Sequence, residues 1–177
     1  GGSAADQYPV ASRSVFFENR SGTFVLSENQ KLFSHLSLVT DAGSADMDGD
    51  GTEDLVVAQE WGAVRIFLNR NGVFEDSTQG MGLDKYTGLW QCAHIADVNG
   101  DGRQDIVAGN FGLNTVYEIY EPPVRLSYLD SADGGAIGAL EFHYDKESSG
   151  WFSTRKYAVA TAVFPLMAHR ILTSAKY

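Results

Sequence analysis

The stretch Asp46-Met47-Asp48-Gly49-Asp50-Gly51-Thr52-Glu53-Asp54 decides the reading of this chain, because it occurs twice. Its second copy, Asp97-Val98-Asn99-Gly100-Asp101-Gly102-Arg103-Gln104-Asp105, begins 51 residues later. Each copy places side-chain oxygens at its first, third, fifth and ninth positions and glycine at its fourth and sixth. Each runs at once into an apolar segment, Leu55-Val56-Val57-Ala58 and Ile106-Val107-Ala108. A hard cation such as Ca²⁺ takes about six to eight oxygen ligands in a flexible shell. Oxygens on alternate residues of a tight loop converge on one point, and glycine supplies the positive φ that the wrap requires. The spacing therefore predicts two Ca²⁺ sites. One is built from Asp46, Asp48, Asp50, the Thr52 carbonyl and Asp54. The other is built from Asp97, Asn99, Asp101, the Arg103 carbonyl and Asp105. Carboxylates packed this closely repel one another unless a cation offsets them. An EF-hand needs a bidentate Glu at position 12 and an exiting helix. Position 12 here is Val57 or Ala108, and the exit segments are short and β-branched, so they read as strands. Mg²⁺ fits less well, since a cage of protein oxygens suits the larger ion.

The self-similarity extends past the loops. Val64 to Phe74 echoes Ser14 to Phe24, and both contain Asn-Arg-x-Gly-x-Phe, which reads as a hairpin turn between two short strands. A unit of about 50 residues with four short strands matches a propeller blade. In this register residues 14–26 are the last two strands of one blade. Residues 36–76 are a complete blade that opens on Leu36-Ser37-Leu38-Val39. Residues 89–120 are the next, closing on a strand at Val116 to Tyr120. Pro122-Pro123 then interrupts the ladder. Val124 to Leu129 alternates like a further first strand, with Leu140 to Tyr144 and Phe152 to Tyr157 after it. The loop Asp130 to Gly135 has lost the oxygen pattern and predicts no strong metal site. The composition of Ala158 to Leu172 favours a short C-terminal helix, interrupted by Pro165. The expected class is all-β: four-stranded antiparallel propeller blades over residues 14–157, preceded by linker or expression scar at 1–13 and followed by a helix-bearing segment at 158–177.

At these residues the chain resembles the FG-GAP/VCBS repeat proteins, whose β-propeller is similar to the head of integrin α subunits. In that family the loop joins the first two strands of a blade and binds calcium. Asp46, Asp48, Asp50 and Asp54 match its motif in full, and Asp97, Asn99, Asp101 and Asp105 match it with an Asn. The segment Gly109 to Thr115 is similar to the stretch that follows the loop in bacterial ASPIC/UnbV-type members. The resemblance implies a calcium-stabilised module that binds a protein or a carbohydrate without catalysis. A lectin and a domain of a polysaccharide-active enzyme are the alternatives it leaves. None of the ligand-capturing residues of integrins has a match here.

Composition bounds the reading further. The chain has 177 residues and a net charge of −10. Eight of its 23 acidic residues lie inside the two loops, so bound calcium would offset much of that charge. The acidic balance argues against nucleic acid. No apolar run is long enough for a transmembrane helix. Closed propellers have about four to eight blades and this length holds about three and a half, so the chain reads as part of a larger propeller. Unpaired blade edges favour self-association. Millimolar calcium outside cells suits such loops, so the expected location is secreted, cell-surface or periplasmic; no signal peptide is visible.

Other candidates are weaker. Cys92, in an alternating strand beside Trp90 and His94, is expected to be a buried apolar cysteine. The four histidines are scattered and show no zinc spacing. Glu141 and Asp145 can share a strand face as a carboxylate pair. Trp61, Trp90, Trp151 and the tyrosines are expected mainly between blades, with Trp61 and Phe111 as the repeated aromatics. The loop Asp76 to Gly88, with Lys85 and Tyr86, is the longest candidate ligand surface.

Overall fold

The computed structural model describes residues 14–112, 114–120, 124–129 and 138–155. The expectations for residues 1–13, for the loop 130–135 and for a helix at 158–172 lie outside the described residues. The chain divides into two compact units, Arg13–Gly112 and Gly1–Ser12 with Leu113–Tyr177.

In the first unit the repeat is visible as structure. Strands β1 (Phe17–Arg20) and β2 (Thr23–Leu26) form a hairpin. Strands β3 (Leu38–Ala45), β4 (Asp54–Ala63), β5 (Arg65–Arg70) and β6 (Val73–Asp76) form an antiparallel four-stranded ladder in chain order. Strands β7 (Thr87–Ala96) and β8 (Asp105–Asn110) pair with each other. The far end of β4 passes beside the start of β7, with Glu60 opposite Leu89 and Ala63 opposite Thr87. Each acidic loop thus joins the first two strands of a blade, β3 to β4 and β7 to β8. The two hairpin turns are built alike. Ser21 and Gly22 have φ of 54° and 88°, Asn71 and Gly72 have 56° and 92°. Positive φ at both central residues marks the turn whose twist suits a two-residue hairpin. The Asn19 side chain accepts the Gly22 N–H at 2.7 Å, as Asn69 does from Gly72 at 2.7 Å.

The middle blade is buried on both faces. Val57 and Phe67 point to one side, where they pack with Phe33 and Leu36 and with Phe16, Leu55 and Phe74 around them. Val56, Ile66 and Leu68 point to the other, against Leu83, Trp90, Ile95 and Ile106. The two-residue strand period divides adjacent residues between two cores. Repeats therefore stack: the middle blade lies between the elements before it and the elements after it. A short helix, α1 (Gln30–Phe33), links β2 to β3 and brings Phe33 against Phe67 with ring centroids 4.9 Å apart. This helix is four residues long and has no side-chain cap, so no sequence pattern marks it.

In the second unit, β9 (Val124–Leu129), β10 (Gly138–Asp145) and β11 (Gly150–Ser153) form an antiparallel sheet with β10 in the centre. These are the strands expected in that region, with β11 ending earlier than Tyr157. The expected strand at Val116 to Tyr120 is instead a 3-10 turn over Val116–Ile119. The Thr115 hydroxyl oxygen accepts the Tyr117 N–H at 3.1 Å and closes the turn locally. That local bond competes with extension.

Candidate metal loops

The two acidic loops have the same internal wiring. Asp46 Oδ1 accepts the N–H groups of Gly49 and Asp50 at 2.7 and 3.1 Å, and its Oδ2 accepts that of Gly51 at 2.8 Å. Asp97 Oδ1 accepts from Gly100 and Asp101 at 2.7 and 3.2 Å, and its Oδ2 from Gly102 at 2.8 Å. At the third position Asp48 and Asn99 each accept the N–H two residues on, at 3.2 and 2.9 Å. At the fifth, Asp50 and Asp101 accept from Thr52 and Arg103 at 2.8 and 2.9 Å. Gly49, Gly51, Gly100 and Gly102 all have φ between 79° and 86°. A side chain in that region is strained, so the wrap depends on glycine at both places.

The last carboxylate of each loop plays a different part. Asp54 is 1 % exposed. Its Oδ2 accepts the Met47 N–H at 2.8 Å and its Oδ1 accepts the Asn69 N–H of β5 at 2.7 Å. It ties the loop's entry to the third strand of the blade. Asp105 repeats the first half of this, with Oδ2 accepting the Val98 N–H at 3.1 Å.

Asp46, Asp48 and Asp50 bring carboxylate oxygens within 4.8 Å of one another. This all-oxygen donor set suits a hard divalent cation, and the Thr52 carbonyl is the seventh-position donor of the pattern. Arg70, on the last residue of β5, faces the cluster: its guanidinium meets Asp48 and Asp50, each at 2.6 Å. No local pattern signals that contact, since it depends on the hairpin bringing residue 70 back over the loop. Among the described residues, loop 97–105 has the short-range pair of Arg103 with Asp101 at 2.9 Å as its ion pair.

The local bonds act on the carboxylates. Asp50 is held below the ordinary carboxylate range by the Thr52 hydroxyl first, then the Thr52 N–H and Arg70, against a partial desolvation. Asp97 is lowered chiefly by the Gly102 N–H, and Asp101 chiefly by the Arg103 N–H and then its guanidinium. The ionised form is the one these loops hold.

The remaining candidates fall out differently. Cys92 is exposed, correcting the expectation of a buried cysteine. Its strand alternates, and the face it shares with His94 is turned away from the middle blade, where Ala93 and Ile95 pack instead. Glu141 is buried and gripped by Arg155 at 2.8 and 2.9 Å and by the Tyr117 hydroxyl at 2.9 Å. Asp145 is half-buried and accepts the Ser148 N–H at 2.6 Å. Both carboxylates are thus engaged in local structure. Trp61 is half-buried with φ of 60° at a bulge in β4, and Phe111 is exposed. The two expected repeated aromatics therefore have different surroundings. Lys85 and Tyr86 are exposed in the turn between β6 and β7, with the ammonium 5.1 Å from the ring centroid.

Residues 46–108 match the family model of the FG-GAP-like repeat. The chain carries an FG-GAP repeat. The matched span runs from the first residue of the first loop to the end of the apolar run after the second, so it covers one full loop-to-loop period. No curated protein and no solved structure matches the chain. No helix among the described residues is long and apolar enough to cross a membrane.

Proposed function

We propose that the chain is a calcium-stabilised FG-GAP propeller module that binds a protein or a glycan outside the cytoplasm, without catalysis. The observation that carries the metal part is the matching hydrogen-bond pattern of the two loops at their first, third and fifth positions. Each gathers oxygens at the same positions on a backbone that only paired glycines allow. In the first loop Asp46, Asp48, Asp50, the Thr52 carbonyl and Asp54 would hold the ion. In the second it would be Asp97, Asn99, Asp101, the Arg103 carbonyl and Asp105. Calcium there offsets the clustered charge and fixes the turn between the first two strands of each blade. An all-oxygen loop of this kind suits the calcium level of an extracellular or envelope compartment, where integrin-like and ASPIC/UnbV-like propellers are the natural comparison.

The binding part rests on the scaffold. Stacked blades present their connecting loops along the rims, and the turn between β6 and β7 offers exposed Lys85 and Tyr86 there. Loops on a rigid scaffold are where ligands are met.

The test is thermal unfolding in calcium and in chelator, beside an Asp50→Ala, Asp101→Ala double variant. A ligand that binds only the native state at a hundredfold excess over Kd stabilises it by about 2.7 kcal/mol per site. A rise in Tm with calcium that the double variant lacks supports the reading. An equal Tm in calcium and chelator overturns it.

A further inference from the structure

Asn29 stands at the N-cap position of α1 and makes no side-chain capping bond. Asparagine there ordinarily spends its side chain on the first turn of its own helix. This one reaches to the next repeat, 43 and 45 residues away. Its Nδ2 donates to the Gly72 carbonyl at 2.9 Å, and its Oδ1 accepts the Phe74 N–H at 3.1 Å. Its own N–H is held by the Ser27 hydroxyl oxygen at 3.1 Å. One side chain therefore clips the β5–β6 hairpin onto the segment between β2 and α1.

The same hairpin is fastened on its other side to the first acidic loop. Asn69 spends both its backbone and its side chain there. Its Nδ2 donates to the Glu53 carbonyl at 3.0 Å and its N–H to Asp54 Oδ1 at 2.7 Å, while its carbonyl accepts from the Thr52 hydroxyl at 3.0 Å. Its Oδ1 accepts the Gly72 N–H at 2.7 Å. Gly72 thus sits between two asparagines, with its N–H on Asn69 and its carbonyl on Asn29. A continuous run of bonds leads from Thr52 through Asn69, Gly72 and Asn29 to Ser27.

That run starts at a group with a choice of two acceptors. Thr52 Oγ1 lies 2.5 Å from Asp50 Oδ1 and 3.0 Å from the Asn69 carbonyl, and a hydroxyl has one proton to give. While Asp50 is otherwise uncommitted, the carboxylate is the nearer and stronger acceptor. Once the Asp50 charge is engaged by a cation, the Asn69 carbonyl is the acceptor that remains. The second loop is built differently at this place. Arg103 stands where Thr52 does, and both its N–H and its guanidinium turn to Asp101 at 2.9 Å.

We propose that the two loops have different roles, and that cation binding at loop 46–54 is coupled through Thr52, Asn69 and Gly72 to the Asn29 clip, so that it tightens the joint between the middle blade and the repeat before it. Loop 97–105 serves its own turn. The proposal rests on the reading of both loops as calcium sites. Coupling between sites is reciprocal: whatever calcium adds to the clip, the clip adds to calcium affinity. Asn29, which touches none of the loop's oxygens, then becomes a determinant of how tightly the first loop holds its ion.

The experiment is calorimetric calcium titration of the whole chain with one loop disabled at a time. In an Asp101→Ala background, which leaves the first loop, Asn29→Ala should weaken calcium binding about fivefold or more. In an Asp50→Ala background, which leaves the second loop, the same substitution should change nothing. Thr52→Val should remove most of the effect of Asn29→Ala at the first loop, and Thr52→Ser should keep it. Amide hydrogen exchange gives a readout in the unsubstituted chain. Calcium should slow exchange at Phe74, whose N–H is spent on Asn29, and Asp50→Ala should abolish that slowing. Calcium bound at both loops, with Asn29→Ala neutral at the first, overturns the proposal and leaves the calcium reading intact. So does an equal loss at both loops, which would make Asn29 a general support of the fold. A parent chain that takes up no calcium overturns both together.

Discussion

Asp54 holds Asn69 across the centre of the middle blade, its Oδ1 taking the Asn69 N–H at 2.7 Å while its Oδ2 takes that of Met47 at 2.8 Å. One buried carboxylate therefore couples the acidic loop to the third strand. Its removal leaves two backbone donors unpaired in a dry site. Hydrogen bonds to a charged acceptor contribute about 1.5–3 kcal/mol each. Asp54→Ala should cost about 3 kcal/mol in chelator, read as a fall in the urea midpoint. Asp105→Ala, at the position that has one such bond among the described residues in place of two, should cost less. Equal losses would show that the strand tie contributes nothing.

Arg70 meets Asp48 and Asp50 from the hairpin end, each at 2.6 Å. A divalent cation in the loop and this guanidinium both answer the same negative charge. The contribution of Arg70 should therefore depend on calcium. Arg70→Ala should lower the Tm in chelator and have less effect in saturating calcium. Its calcium affinity at the first loop should be no weaker than that of the parent, by calorimetric titration. A variant that binds calcium more weakly would make Arg70 a support for the site rather than a rival for it.

Asp50, Asp97 and Asp101 are all held below the ordinary carboxylate range by hydrogen bonds within their loops. A depressed folded pKa means that the unfolded chain takes up protons first as acid is added. The stability these groups contribute is complete above the unfolded value of about 3.9 and is lost as the pH falls through the folded values. In chelator the urea midpoint should thus decline below about pH 4. Replacing all three by Asn keeps an acceptor oxygen and removes the titration. That variant should show a shallower acid decline than the parent, and parallel curves would remove the loops from the pH dependence.

Gly43 on β3 lies close under the next repeat: a Cβ there would stand 3.1 Å from Ile95 Cδ1. The middle and following blades approach closely at this point because one of them has no side chain to place. Gly43→Val forces Ile95 aside in a packed layer, at a cost of about 1–3 kcal/mol. Chemical denaturation reads it, and Ile95→Ala in the same chain should recover part of the loss by opening the space.

The loops, the hairpins and the blade order were legible because each is a local pattern that occurs twice. Asp46 to Asp54 and Asp97 to Asp105 fix their own turns through bonds that span five residues or fewer, with the last carboxylate reaching back seven. Arg70 and Gln59 were not legible, for the opposite reason. Arg70 is 20 residues from Asp50, and Gln59, buried in β4, takes the Ser37 N–H at 2.8 Å and gives a bond to Ala63 O at 3.0 Å. Such contacts exist only after the strands are in register. The strand expected at Val116 to Tyr120 was a stretch of five residues, too short to outweigh the bond between Thr115 and Tyr117.

Cys92 shows how the same period can place a side chain correctly in one repeat and leave it open in the next. On β3 the corresponding residue is Asp41, whose carboxylate reaches forward to the Ala93 N–H at 3.1 Å. Strand β7 turns Cys92 and His94 in that same forward direction, and both are exposed. Gly109 lies beneath the sulfur, with the position of its missing Cβ 2.9 Å from Cys92 Sγ. An accessible thiol reacts without prior unfolding. Cys92 in the native chain should therefore react with an aromatic disulfide reagent at a rate that approaches that of the urea-unfolded chain. Gly109→Ala should alter the rate by pushing the sulfur from its place, with little change in the rest of the sheet. A native thiol that reacts only as fast as the protein unfolds would mean that this face of β7 is covered in solution.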